Sequence, residues 1–204
     1  MKSAGENMKH EITTLNTKKT LAASLKKLML KKPLGKISIS ELIADCGVNR
    51  KTFYYHFQDI YDLLKWILEQ EAIEVVKGFD LLVNPEEALL FAIGYVDENK
   101  HIINCAYDAM GREEMKRFFF MDFYGVVQSI VQNILKEQTL CVSEHFVSFV
   151  ITFYTEALAG MLINYFQEKQ PFSRQELVDD LLFTLKHSIP NILRARAAIE
   201  QKQR

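Results

Sequence analysis

The stretch Ser38 to Phe57, SISELIADCGVNRKTFYYHF, decides the fold, because its spacing reads as two short helices joined at Cys46-Gly47-Val48. Ser38 followed three residues later by Glu41 is a capping box, in which the hydroxyl takes the free amide at the third helical position and the carboxylate reaches back to the cap. A helix therefore starts at Ser38. Leu42, Ile43 and Cys46 form its apolar side, and Gly47 supplies the positive φ that ends a helix cheaply. Asn49 is a suitable N-cap for the second helix, in which Phe53 and Phe57, four residues apart, share a core face. Lys51 and Tyr55 then point almost opposite Phe53, flanked by Thr52 and Tyr54, with Arg50 and the free amides at the helix start. This mixture of cations, hydroxyls and rings suits the phosphates and base edges of a duplex.

Charge is distributed to match. The 204 residues carry a net charge of −1, yet residues 1–70 hold 12 Lys and Arg against 7 Asp and Glu, whereas 71–204 hold 13 against 19. A basic leading module on an acidic remainder is the footprint of an N-terminal end that meets a polyanion. The plainer alternative is a solvated lysine-rich surface. With 49% hydrophobic residues the chain can bury a core across a modest domain and a second one. Cys46, Cys105 and Cys141 lack CxxC spacing and read as small core residues of a reducing cytoplasm. Residues 1–7, MKSAGEN, read as an added leader before a start at Met8, and the opening dozen residues contain no apolar signal segment. The expected location is cytoplasmic. His145 to Gln167 is long and apolar, but Glu156 at its middle would cost about 2.5–3.5 kcal/mol in a bilayer, so the segment reads as a buried helix.

In chain order, Asn16-Thr17 caps a first helix to about Lys32, with Leu21, Leu25 and Leu28 on one face and lysines on the other. After Phe57, Gln58-Asp59 caps a long helix to about Lys77, carrying Leu63, Leu64, Ile67, Leu68, Ile73 and Val76. Asn84-Pro85-Glu86-Glu87 opens a helix to about Glu98. Helices are expected at about 101–110 and 112–138, separated by Gly111, then at 143–169 from Ser143 with Pro171 as its stop. Ser173 and Glu176 form a second capping box for a helix to about Ser188, before Pro190. Residues 191–204 read as a tail, open to helix but fraying. The fold class is all-α: a three-helix N-terminal domain at 10–58, a linking helix at 59–78 and a C-terminal helical domain at 79–190.

That C-terminal domain is rich in aromatics, among them Phe119, Phe123, Phe149, Phe153 and Tyr154, whose helical spacing suits a filled core or the lining of an apolar pocket equally. Asp108, Arg112 and Glu156 are the polar groups that could orient a ligand there. Enzyme chemistry has no support. The five histidines, including His56, are too scattered for a metal motif, and no nucleophile elbow, phosphate loop or dinucleotide fingerprint occurs. Adjacent carboxylates such as Glu86-Glu87 diverge on a helix. Neither cofactor nor metal is implied.

The run Gly47 to Leu64, GVNRKTFYYHFQDIYDLL, resembles the signature of the TetR family of bacterial transcriptional regulators, and the match covers about residues 14–74. That resemblance implies a DNA-reading helix bearing Arg50, Lys51, Thr52, Tyr54, Tyr55 and His56. It also implies a phosphate-contacting hydroxyl at Ser38 and an approach of the first helix to the backbone at Thr17 and Lys18. Where many members carry a phosphate-binding lysine, this chain has Ile60, with Lys65 a turn further on; the variant is similar to a Firmicutes-type branch. The segment 152–173, TFYTEALAGMLINYFQEKQPFS, resembles the family's dimerisation helix, implying an interface over 143–169 and 173–188 that includes Phe149, Phe153, Gly160, Met161 and Asn164. The implied function is a homodimeric repressor of a palindromic operator, controlled by a small-molecule effector in the C-terminal domain. ITTLNTKKTL at 12–21 and GYVDENK at 94–100 are also similar to regulators of dihydroxyacetone kinase operons, which would replace direct sensing by a kinase-like protein partner.

Overall fold

The computed structural model describes residues 2–73, 78, 85–168 and 173–203. These form α1 (Lys2–Met29), a 3₁₀ turn (Leu34–Lys36), α2 (Ile39–Cys46), α3 (Arg50–His56), α4 (Ile60–Leu68) running into a π turn (Glu69–Ile73), α5 (Pro85–Glu98), α6 (Lys100–Glu137), α7 (Glu144–Phe166) and α8 (Arg174–Lys202). No strand occurs among the described residues. The expected helix through Lys77 with Val76 on its stripe, the cap at Asn84 and the stop at Pro171 lie outside them.

Two compact units result: Met1–Glu71 with His101–Gly111, and Ala72–Lys100 with Arg112–Arg204. Ile60, Leu63, Leu64, Ile67 and Leu68 are buried, and α4 packs on α1, so it belongs to the first unit rather than standing between two. Within that unit α1 also packs on α2, with Leu21, Leu25, Met29, Leu42 and Phe53 fully buried. Ser24 is buried between α1 and α2, donating its one hydroxyl proton to the Asp45 carboxylate at 2.8 Å, with the Leu42 carbonyl 3.3 Å from the same oxygen. A buried hydroxyl whose proton has an acceptor helps hold the helix pair in register.

Three sequence expectations fail, the first for a local reason and the other two for tertiary ones. First, α1 does not start at Asn16; it runs from Lys2, and the Thr20 hydroxyl donates to the Asn16 carbonyl as in a helix interior. No proline interrupts residues 2–29, so a locally good cap is overridden by a longer helix. It also ends at Met29, three residues short of Lys32. Second, Ser143 does not cap α7 through its own side chain. Its amide and hydroxyl instead donate to Glu200 at 2.8 and 2.7 Å, so an acid from the end of α8 closes the start of α7. Third, the chain after Ser188 is no tail: α8 continues through Pro190 to Lys202. The proline removes a backbone bond, but Ile189, Leu193 and Ala197 are buried, and the first two join Val127, Val131, Val147, Val150, Ile151 and Tyr154 in one cluster.

The expected break at Gly111 is present as a kink inside α6, with φ 79° and ψ 169°, a conformation open essentially to glycine. By length and composition α6 and α7 could cross a membrane. In α7, however, Val150, Ile151, Tyr154, Ala159, Ile163 and Phe166 are buried within the second unit, as in the core helix of a folded domain.

Candidate nucleic-acid interface

The helix-turn-helix is assembled as its spacing predicts. Ser38 accepts from the Glu41 amide at 3.2 Å while the Glu41 carboxylate accepts from the Ser38 amide at 3.2 Å. Gly47 ends α2 at φ 69°. Asn49 caps α3, accepting from the Thr52 amide at 2.8 Å, and Phe53 and Phe57 anchor the helix from below. Asp59 and Asp62 repeat the device at α4, with Asp59 accepting from the Asp62 amide and Asp62 from the Gln58 amide.

The outward face of α3 is cationic and aromatic. Arg50 and Lys51 are exposed, Tyr54 is 49% exposed and Tyr55 is 70% exposed. Large rings left in water on a helix whose other side is fully buried are the informative departure here. Arg50 lies over the Tyr54 ring at 5.7 Å and donates to its hydroxyl at 3.4 Å and to Ser40 at 3.5 Å. The guanidinium is thus held beside the start of α2. Ser40 is the contact that sequence reading missed: ten residues from Arg50, it carries no periodic signal.

Other expected contacts are placed differently. Thr52 donates its hydroxyl to Asn49 at 3.0 Å, so it serves the cap. His56 is half-buried with its ring edge-on to Tyr55 at 4.9 Å. Thr17 and Lys18 lie deep in α1 rather than at a helix start; Thr17 donates to the Thr13 carbonyl, and the Lys18 ammonium sits over Phe57 and Trp66 at 5.4 and 5.5 Å. Ile60 is buried at the start of α4, and Lys65 is half-buried on it.

Electrostatics reinforce the scaffold. Lys27, 2.5 Å from Asp45, and then Ser24 hold the Asp45 carboxyl below its ordinary value of 3.8. Lys32 at 2.5 Å, together with Ser38, holds Glu41 below 4.5.

Of the candidate ligand residues, five lie in the second unit and Asp108 in the first. Phe123 lines an apolar cavity of about 100 Å³ in the second unit, with Leu158, Met161 and Leu181 among its walls. Phe119 is buried and stacks on Phe123 at 5.8 Å, while Tyr154 is buried and donates to Ser188 at 2.6 Å. Arg112 donates twice to Asn164 at 3.3 Å, Glu156 is ion-paired with Lys116, and Asp108 lies in the other unit. Of the dimer candidates, Phe149 and Phe153 are each 56% exposed and stacked at 6.0 Å, and Gly160 is half-buried. Met161 and Asn164 turn inward, to the cavity and to Arg112. Phe183 on α8, 67% exposed, is a further exposed ring.

Two family models match. One describes bacterial regulatory proteins of the tetR family and covers residues 22–67; the other describes the C-terminal region of transcriptional regulators and covers residues 83–187. The chain belongs to the TetR family. It is a DNA-binding transcription regulator and not an enzyme. A similar protein of Lactococcus lactis subsp. lactis (strain IL1403), described as the HTH-type dhaKLM operon transcriptional activator DhaS, is 24% identical over 155 residues, 76% of this chain and 80% of its own. A solved structure described as dihydroxyacetone kinase operon activator DhaS superposes with a TM-score of 0.62 at 23% identity, covering 90% of this chain and 97% of its own. The all-α TetR architecture, read from one helix-turn-helix, is therefore correct for both halves.

Proposed function

We propose that this TetR-family chain acts as a homodimer that reads a palindromic operator, with Arg50, Lys51, Tyr54 and Tyr55 entering the major groove and Ser38 meeting the flanking phosphates. The single observation that carries the reading is the face of α3, charged and aromatic in solvent above a fully buried Phe53. Half-sites about 34–36 Å apart would require two such helices held at that separation. The exposed Phe149, Phe153 and Phe183 support α7 and α8 as the surface that pairs the subunits. Such a protein works where the DNA is, in the cytoplasm.

DNA affinity is modulated through the second unit, by an effector that prefers one spacing of the reading helices. Repression by promoter occlusion is the simplest outcome. The DhaS relative's description as an activator favours a second reading, in which the bound dimer promotes transcription. The cavity at Phe123 has room for a small apolar molecule and presents no polar side chain in its lining. That wall chemistry is the observation in favour of control by a kinase-like protein partner instead of a polar metabolite. Selection of bound sequences from random DNA, followed by transcription from a promoter carrying the selected site, tests the whole reading. A non-palindromic or absent consensus would overturn it.

A further inference from the structure

A cavity of about 530 Å³ lies within the first unit, between the end of α1, the turn that follows it and residues 101–109 of α6. Its size falls in the ~300–1,000 Å³ range of ligand sites. The wall is chemically two-sided. The 31–36 segment contributes Lys31, Lys32 and Lys36, while α6 contributes His101 and Asp108, seven residues apart and so on one helix face, over a buried Leu34. His101 is fixed in place: its Nε2 donates to the Met29 carbonyl at 2.6 Å, since a carbonyl can only accept. Lys32 is paired with Glu41, so Lys31 and Lys36 are the lining cations set against the single carboxylate of Asp108.

We propose that this cavity binds a small phosphorylated metabolite, the lysines taking its phosphate and Asp108 accepting from a hydroxyl of its organic part. The site is wired to the reading head. Lys32 also pairs with Glu41 at 2.5 Å, and Glu41 closes the capping box on Ser38. A phosphate that competes for Lys32 loosens Glu41 from its cation, so occupancy of the cavity reaches the helix start that faces the duplex.

The test is calorimetric titration of the full chain, without DNA, by glucose monophosphate, with free glucose and inorganic phosphate as controls. Saturable one-to-one binding of the ester and none of free glucose is expected. The double variant Lys31→Ala/Lys36→Ala should weaken ester binding about tenfold or more, since charge-assisted contacts are lost. Asp108→Ala should weaken the ester while leaving inorganic phosphate unaffected or tighter. Absence of saturable binding at millimolar ester, or binding that the double variant leaves unchanged, overturns the proposal. A double variant that binds the ester like the wild type but, in a separate gel shift with duplex, lowers the salt slope by about two would assign the lysines to the DNA backbone and equally overturn it.

Discussion

At the residue scale the decisive side chains are those that break the rule of apolar inside and polar outside. Lys51→Ala and Tyr55→Ala should each weaken operator binding by about 1–3 kcal/mol if they read bases. Neither should lower the melting temperature by more than a degree or two, because both side chains lie in solvent; a gel shift at physiological salt beside a thermal melt checks the pair. Lys18 should behave oppositely. Its ammonium rests on Phe57 and Trp66, so Lys18→Ala is expected to cost about 0.5–2 kcal/mol of stability, read by urea unfolding. Asp45 supplies a pH signature. Its folded value lies below the ordinary 3.8, so its ion pair and hydrogen bond stabilise the fold fully above that value. That contribution is lost as pH falls from 3.8 through the depressed folded value. Asp45→Asn should flatten the acid limb of a stability–pH curve over that window and leave the neutral-to-alkaline limb parallel to the wild type.

At the element scale, short helices depend on their ends. With eight residues in α2 and seven in α3, capping and the Gly47 bend are a large share of what fixes their orientation. Gly47→Ala meets no neighbouring atom, so its expected cost of about 1–2 kcal/mol is conformational, arising from φ 69°. The long C-terminal helix has a different weak point. Glu200 closes the start of α7 and is itself held by Arg196 at 2.7 Å. Truncation after Ala198 should therefore fray α7 from Ser143 onward, visible as faster amide exchange over residues 143–147. Unchanged exchange there would show that the α8 end is dispensable. Legibility divides along the same line. Capping boxes at Ser38 and Ser173 were readable because both partners lie within four residues. The link from Glu200 to Ser143 spans 57 positions and leaves no local pattern.

For the whole molecule, exposed rings carry the remaining prediction. Phe149, Phe153 and Phe183 leave apolar surface in water on α7 and α8 that an identical subunit can cover. A Phe149→Glu/Phe153→Glu variant should shift the proposed dimer to monomer in sedimentation velocity and abolish palindrome binding, while the isolated subunit keeps its helical content. A variant that remains dimeric would move the interface elsewhere. Met161 and Asn164 illustrate why sequence could not separate interface from interior. They share α7 with the exposed phenylalanines, and helical phase alone does not say which neighbour covers which stripe.

By itself the sequence determined the all-α class, the helix-turn-helix with its caps and bend, and the outward cationic and aromatic face of α3, because each rests on interactions between residues a few positions apart; the same run carried the resemblance to the TetR family. Only the tertiary structure decided that Leu193 and Ala197 near the chain's end belong to the core and that His101–Gly111 joins the first unit. The physical reason is burial: a stripe of apolar side chains specifies that something must cover it, and the identity of the cover is set by packing between segments distant in the chain.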